Sequence, residues 1–159
     1  MSRKTILNFL EYSKSVFFVA TLEQSHKSPK KRFARQQKTY SIDIGIAKLF
    51  GEIDKGRALK NSVFIELLRK RKATEQIYYI KLKSGKEVDF MINGRNPRLL
   101  QVSYDVSSIE TRKRETSAII EAAKSMNLNE CMVITYDNES EEIIEGIKVM
   151  FIPFWIWAL

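Results

Sequence analysis

Three short strand-like runs follow one another between Gln76 and Tyr104: QIYYIKL, EVDFMI and RLLQVSY. The links between them, KSGK and NGRNP, hold the Ser-Gly, Asn-Gly and Asn-Pro pairs that reverse a chain tightly. Such a meander fixes a sheet, and its alternation fixes which residues face which layer. In EVDFMI, Val88, Phe90 and Ile92 are expected on one face, with Glu87, Asp89 and Met91 on the other. In RLLQVSY, Leu100, Val102 and Tyr104 share a side, and Leu99, Gln101 and Ser103 share the opposite one. A turn symmetric about Arg95 sets Ile92 opposite Arg98 and Asp89 opposite Gln101. Directly paired residues have Cβ atoms about 4.5–5.5 Å apart, so both side chains could reach one divalent ion. Ser103 follows one step along that face. The alternatives are a hydrated face, or an Asp89 paired with a lysine from a helix.

Around the meander the pattern predicts a helix from about Leu59 to Lys72 and a charged helix from Ile109 to Met126. A strand follows at Cys131 to Tyr136, then an acidic turn DNESEE and a last strand centred on IKVMFI. The order from Leu59 is therefore α-β-β-β-α-β. Ahead of it, Thr5 to Lys14 reads as a helix and Val16 to Leu22 as a strand. KTYSIDIGIAKLF reads as a strand, a turn near Gly45 and a short helix. Between the two strands lies the segment HKSPKKRFARQQK, read as a loop, with Lys27, Lys30, Lys31, Arg32, Arg35 and Lys38 and no carboxylate. Helix, strand, basic loop, strand is the order of the back half of a winged helix. The expected division is 1–50, a partial winged-helix segment with a basic wing, and 51–159, an α/β domain.

Charge narrows the function classes. The chain carries 27 Lys and Arg against 19 Asp and Glu, a formal charge of +8, which favours polyanionic partners. Arg112, Lys113 and Arg114 offer a second basic patch. The lone histidine, His26, excludes a multi-histidine metal centre, and the lone cysteine, Cys131, excludes an internal disulfide and suggests a cytoplasmic setting. No signal peptide is legible. The apolar run VMFIPFWIWAL is 11 residues long with a proline, short of the ~20 a membrane helix needs, so no membrane partner is expected. Trp155 and Trp157 within it read as core or interface anchors. No glycine-rich phosphate loop is present, and no base accompanies the serines for a hydrolase triad.

The order α-β-β-β-α-β, with an aspartate on the second strand and a (D/E)-x-K position on the third, resembles the PD-(D/E)xK restriction-endonuclease-like fold: a mixed sheet flanked by helices. More narrowly, KNSVFIELLRK, IYYIKLKSGKEVDFMI, RLLQVSYDV and IKVMFIPFWIWAL look like the C-terminal nuclease-like, DUF4143-like domain of archaeal and bacterial AAA-type ATPases. The part ending KTYSIDIGIAKLF is similar to the winged-helix linker of those proteins. The ATPase domain and the opening of the winged helix, expected ahead of this segment, are not in the sequence given. The resemblance implies that Asp89 is the metal-binding aspartate. Where the third strand would show Glu-x-Lys, this chain has Gln101-Val102-Ser103; where the first helix often has a glutamate before the asparagine, it has Lys60 before Asn61. Glu66 and Lys113 are the candidates to replace the lost acid and the lost lysine.

Metal-assisted cleavage needs anionic ligands around Mg²⁺ and a polarised water. Glutamine brings a carbonyl without charge, and serine cannot supply a cation. The expectation is thus a nucleic-acid-binding, catalytically degenerate module with no cofactor. One alternative is an active Mg²⁺- or Mn²⁺-dependent DNA endonuclease with Asp89 and Gln101 as ligands. The other is a protein-interaction domain that docks to an ATPase partner. DNA or another nucleic acid, an ATPase supplied in trans and a second copy in a homodimer are the expected partners.

Overall fold

A computed structural model describes residues 2–26 and 28–159, and gives a mixed α/β structure with an eight-stranded sheet between helices. The elements are α1 (Arg3–Ser15), β1 (Val19–Gln24), α2 (Pro29–Ala34), β2 (Lys38–Ser41), α3 (Ile44–Lys48), α4 (Lys55–Lys70) and β3 (Gln76–Lys81). Then come β4 (Glu87–Asn93), β5 (Arg98–Val102), α5 (Ile109–Ser125), β6 (Glu130–Thr135), β7 (Ser140–Ile144), β8 (Ile147–Pro153) and α6 (Phe154–Trp157). The strand order is β2-β1-β3-β4-β5-β6-β8-β7. The β3-β4-β5 meander is antiparallel, β5, β6 and β8 run parallel, and β1 lies parallel to β3. Residues 1–50 therefore contribute two strands, β1 and β2, to the same sheet.

Each face carries one long helix. Leu59, Val63, Phe64 and Leu67 of α4 pack on Leu22, Tyr40, Tyr79, Phe90, Leu100 and Ile134. Phe64 stacks on Phe90 with ring centroids 5.9 Å apart, and Tyr40 approaches Phe64 at 4.3 Å. On the other face, Ile119, Ile120, Ala122 and Ala123 of α5 meet Tyr78, Val88, Met91, Leu99, Val133 and Phe151. Each fully buried Val, Leu, Ile or Phe side chain among these contributes on the order of 2 kcal/mol. Both helices start on side-chain caps: Asp54 accepts from Arg57 N–H at 2.8 Å, and Ser108 from Thr111 N–H at 3.1 Å.

Several expectations change. The basic segment holds a short helix, α2, because Pro29 presets the first helical position and no β-branched residue follows it. Gly45 lies inside α3, whose start is fixed by Asp43 accepting from the N–H groups of Gly45 and Ile46. The expected acidic turn is partly a strand, β7, which forms a hairpin with β8. Glu145 and Gly146 make its two-residue turn, with φ of 51° and 81°, the left-handed pair that matches strand twist. The tail after the last strand forms the short helix α6.

One departure bears on the site. Tyr78 pairs with Met91 and Ile80 with Val88, so Tyr79 alone opposes both Asp89 and Phe90. That is a bulge in β4, and it breaks the strict alternation. Val88 consequently joins Met91 in the α5-side core, whereas Phe90 and Ile92 face α4. The groupings of Val88 with Phe90 and Ile92, and of Glu87 and Asp89 with Met91, are corrected on that ground.

Candidate functional site

The register of β4 on β5 runs Phe90↔Leu100, Met91↔Leu99 and Ile92↔Arg98, the last as the turn symmetry requires. Its continuation sets Asp89 opposite Gln101, where side chains take over from the ladder. Asp89 N–H donates to Gln101 Oε1 at 3.1 Å, and Val102 N–H donates to Asp89 Oδ2 at 3.1 Å. The bulge thus turns Asp89 so that its carboxylate serves the backbone of β5. Asp89 is only 2 % exposed.

The buried charge is met from α4. Lys60 Nζ donates to Asp89 Oδ1 at 2.6 Å, its own side chain one-third exposed. Of the two alternatives left by the sequence, a lysine from a helix is the one realised. Burial disfavours the charged carboxylate and outweighs the Lys60 ammonium, the Lys38 charge and the Val102 N–H, so the Asp89 pKa lies above its ordinary value. Gln101 is anchored at both ends, because its Nε2 donates to Glu115 Oε2 on α5 at 2.8 Å. Glu115 also accepts from Arg114 at 2.9 Å. Tyr40 lies close by; burial first, then the charges of Asp89 and Glu87, raise its phenol pKa. The chain Lys60–Asp89–Gln101–Glu115 is a hydrogen-bonded path from α4 through the sheet to α5. The Asp89 carboxylate lies on the α4 side and the Gln101 carboxamide on the α5 side, so the expected shared face on which both reach one ion is corrected. Among the described residues, no three His, Cys, Asp or Glu side chains gather where they could hold a metal ion.

The other expected site residues are scattered. Ser103 is buried and its hydroxyl donates to Asp105 O at 2.9 Å, closing the turn after β5. Glu66 pairs with Arg69 and Lys70 at 3.6 and 3.8 Å. It sits six residues beyond Lys60, about 9 Å along α4 and on another side of it. Lys113 is exposed on α5. Asn61 is structural: its amide accepts from Ser41 N–H at 3.0 Å and donates to Ser41 O at 2.7 Å, tying β2 to α4.

The basic residues divide by availability. Lys30 and Arg35 are exposed, as is Arg114, which pairs with Glu115 beside it. Arg32 lies over the Tyr78 ring at 5.0 Å and donates to the Tyr78 hydroxyl. Lys38 pairs with Glu87 above the Tyr79 ring. Arg112 pairs with Glu142, donates to Asn138 and stacks on Phe151 at 4.3 Å. Arg32, Lys38 and Arg112 are therefore internal fasteners more than surface charges. Lys27 lies outside the described residues, as does the side chain of Lys31. No helix among the described residues is long and apolar enough to cross a membrane.

In the sequence Lys60 stands out only as a departure from the family pattern, and nothing there marks Glu115. Four consecutive cations at the end of α4, Arg69-Lys70-Arg71-Lys72, are by contrast visible in the sequence itself.

A family model described as "Domain of unknown function (DUF4143)" matches residues 55–155. The chain belongs to this family. The DUF4143 match starts at the first residue of α4 and includes Lys60, Asp89, Gln101 and Glu115. The whole chain is also 36% identical, over 168 aligned residues, to the uncharacterized protein MJ1544 of Methanocaldococcus jannaschii. The chain spans 37% of the length of that curated relative.

Proposed function

We propose that this chain is a nucleic-acid-binding module on a PD-(D/E)xK-like scaffold, related to the C-terminal part of AAA-type ATPases, that holds its ligand without cutting it. The carrying observation is the Lys60–Asp89 pair. A divalent cation at Asp89 would have to displace an ammonium 2.6 Å away. It would find Gln101 Oε1 already accepting from Asp89 N–H. The donor set does not suit Mg²⁺ or Mn²⁺, which need several oxygens with net negative charge. Glu66 and Lys113, the candidate replacements, lie elsewhere. A charged network whose members are all partnered holds elements together; it does not polarise water.

Binding draws support from the surplus of cations at the surface, Lys30, Arg35, Lys113 and Arg114 among them. Phosphate neutralisation releases counterions, with a log–log salt slope near −0.9 per contact on duplex. Three such contacts would raise Kd about 100-fold between about 50 and about 300 mM salt. Fluorescence anisotropy with labelled DNA measures this, and a Kd indifferent to salt would rule the electrostatic reading out.

A specific observation favours a second reading, docking to an ATPase partner. Phe9 and Tyr12 of α1, with Val16 just past its end, form an exposed stripe, and Phe17, Leu49 and Phe50 are about 80 % exposed. Phe18 and Phe50 meet edge to face at 6.2 Å, joining the end of α1 to the segment after α3. The curated relative is longer than the portion this chain matches, and a partner segment of that kind would cover such a face. Absence of nucleic-acid binding at about 50 mM salt, where phosphate contacts are strong, would favour this reading.

A further inference from the structure

The far end of α4 carries a second charged feature, separate from Asp89. Lys60 and Lys70 are ten residues apart, about 15 Å along the helix axis. There a half-open cleft of about 790 Å³ lies between the C-terminal end of α4, the start of β3 and the β4–β5 turn. Its size is that of sites that enclose a small organic ligand, and exceeds what a lone phosphate needs. Leu67, Ile77 and Ile92 form an apolar floor, and Trp157 of α6 forms one wall.

The rim is cationic. Arg71, Lys72 and Arg95 line the cleft and are exposed. Among the described residues their side chains have no ion-pair or hydrogen-bond partner. The other two cations are employed in building it. Lys70 Nζ donates to the carbonyls of Trp157 and Ala158 at 3.1 and 2.7 Å, fixing the aromatic wall. Arg98 pairs with Glu75 at 2.9 Å, while Glu75 also accepts from Lys72 N–H at 3.1 Å. Glu75 is the one carboxylate in the lining, and that pair neutralises it. Three unspent positive charges therefore surround an apolar, aromatic hollow.

We propose that this cleft takes an unpaired segment of nucleic acid, with phosphates on Arg71, Lys72 and Arg95 and one base against Trp157. Arginine forks match phosphate oxygens in pairs. An apolar floor with an aromatic wall suits a base face, which a fully paired duplex keeps inside its stack. The inference rests on the nucleic-acid reading above and adds to it a place and a strand preference. Arg71 and Arg95 approach from different elements, so a strand held between them would be gripped on both sides of the base.

The test is anisotropy with a labelled single strand of about 12 nucleotides, within the usual footprint of such grooves, and with a blunt duplex of the same sequence. The variants are Arg71→Glu/Arg95→Glu and Trp157→Leu, each checked by thermal melting. The double charge reversal is expected to weaken single-strand binding at least tenfold and to make the salt slope shallower by about 1.4, two contacts at about 0.7 each on a single strand. Trp157→Leu is expected to weaken single-strand binding about tenfold and leave duplex binding within twofold. Wild-type affinity in the folded double variant, with binding by the wild type, would overturn the cleft and leave the nucleic-acid reading standing. No binding by the wild type at low salt would overturn both.

Discussion

The two ends of α4 handle charge in opposite ways. Near its start, Lys60 is spent on a buried carboxylate, and every polar group from Asp89 to Glu115 has a partner. Past its end, Arg71, Lys72 and Arg95 stand exposed around an apolar hollow. The sequence counts these cations alike, yet only the second group is free to meet a ligand. Net charge measures supply; the fold determines how much remains after internal pairing. Arg32, Lys38 and Arg112 make the same point, since each is tied to an aromatic ring and a polar partner.

The contrast breaks most sharply at Lys60. Removing one partner of a buried pair leaves an uncompensated charge. Lys60→Met should destabilise by about 3 kcal/mol, at the lower end of the usual range because the lysine is partly exposed. Adding Asp89→Asn should restore most of that loss, since the asparagine carbonyl can still accept from Val102 N–H while the stranded charge is gone. Arg71→Ala, by contrast, should stay within about 0.5 kcal/mol of wild type. Chemical denaturation of the four proteins measures both ends of the comparison. Equal losses at Lys60 and Arg71 would erase it.

A smaller effect sharpens the same point through pH. The folded Asp89 carboxyl has a pKa above the model-peptide value of 3.8. The folded state thus takes up this proton more readily than the unfolded chain does. The stabilisation from that uptake is fully present below pH 3.8 and is lost as pH rises through the folded pKa. Relative to Asp89→Asn, the wild type should therefore lose stability from about pH 4 upward and level off once the carboxyl is fully ionised. A stability difference that moves the other way would show that Lys60, rather than burial, dominates the site.

Much of this was legible beforehand. The meander, its two turns and the Ile92–Arg98 register follow from alternation and turn residues, both local properties. The sequence also left open a helix lysine as the partner of Asp89. What it hid was non-local. The bulge opposite Tyr79 depends on how β3 meets β4, and a single inserted residue redirects Val88 and Asp89 without any mark in composition. The strand β7 reads as an acidic turn because it is an edge strand, where glutamates on an open face discourage pairing with other chains. Glu115 could be found only once α5 was known to lie over Gln101. The cations of α4's last turns were in plain view; their importance depends on Trp157, more than eighty residues away in the chain.

The most direct test of the central claim is incubation of the wild type and Asp89→Ala with single-stranded, branched and duplex DNA in Mn²⁺. The account predicts intact DNA from both proteins, with retention on a native gel. Cleavage by the wild type that disappears in Asp89→Ala would contradict it, and would mean that the Lys60–Asp89 pair opens to admit a metal.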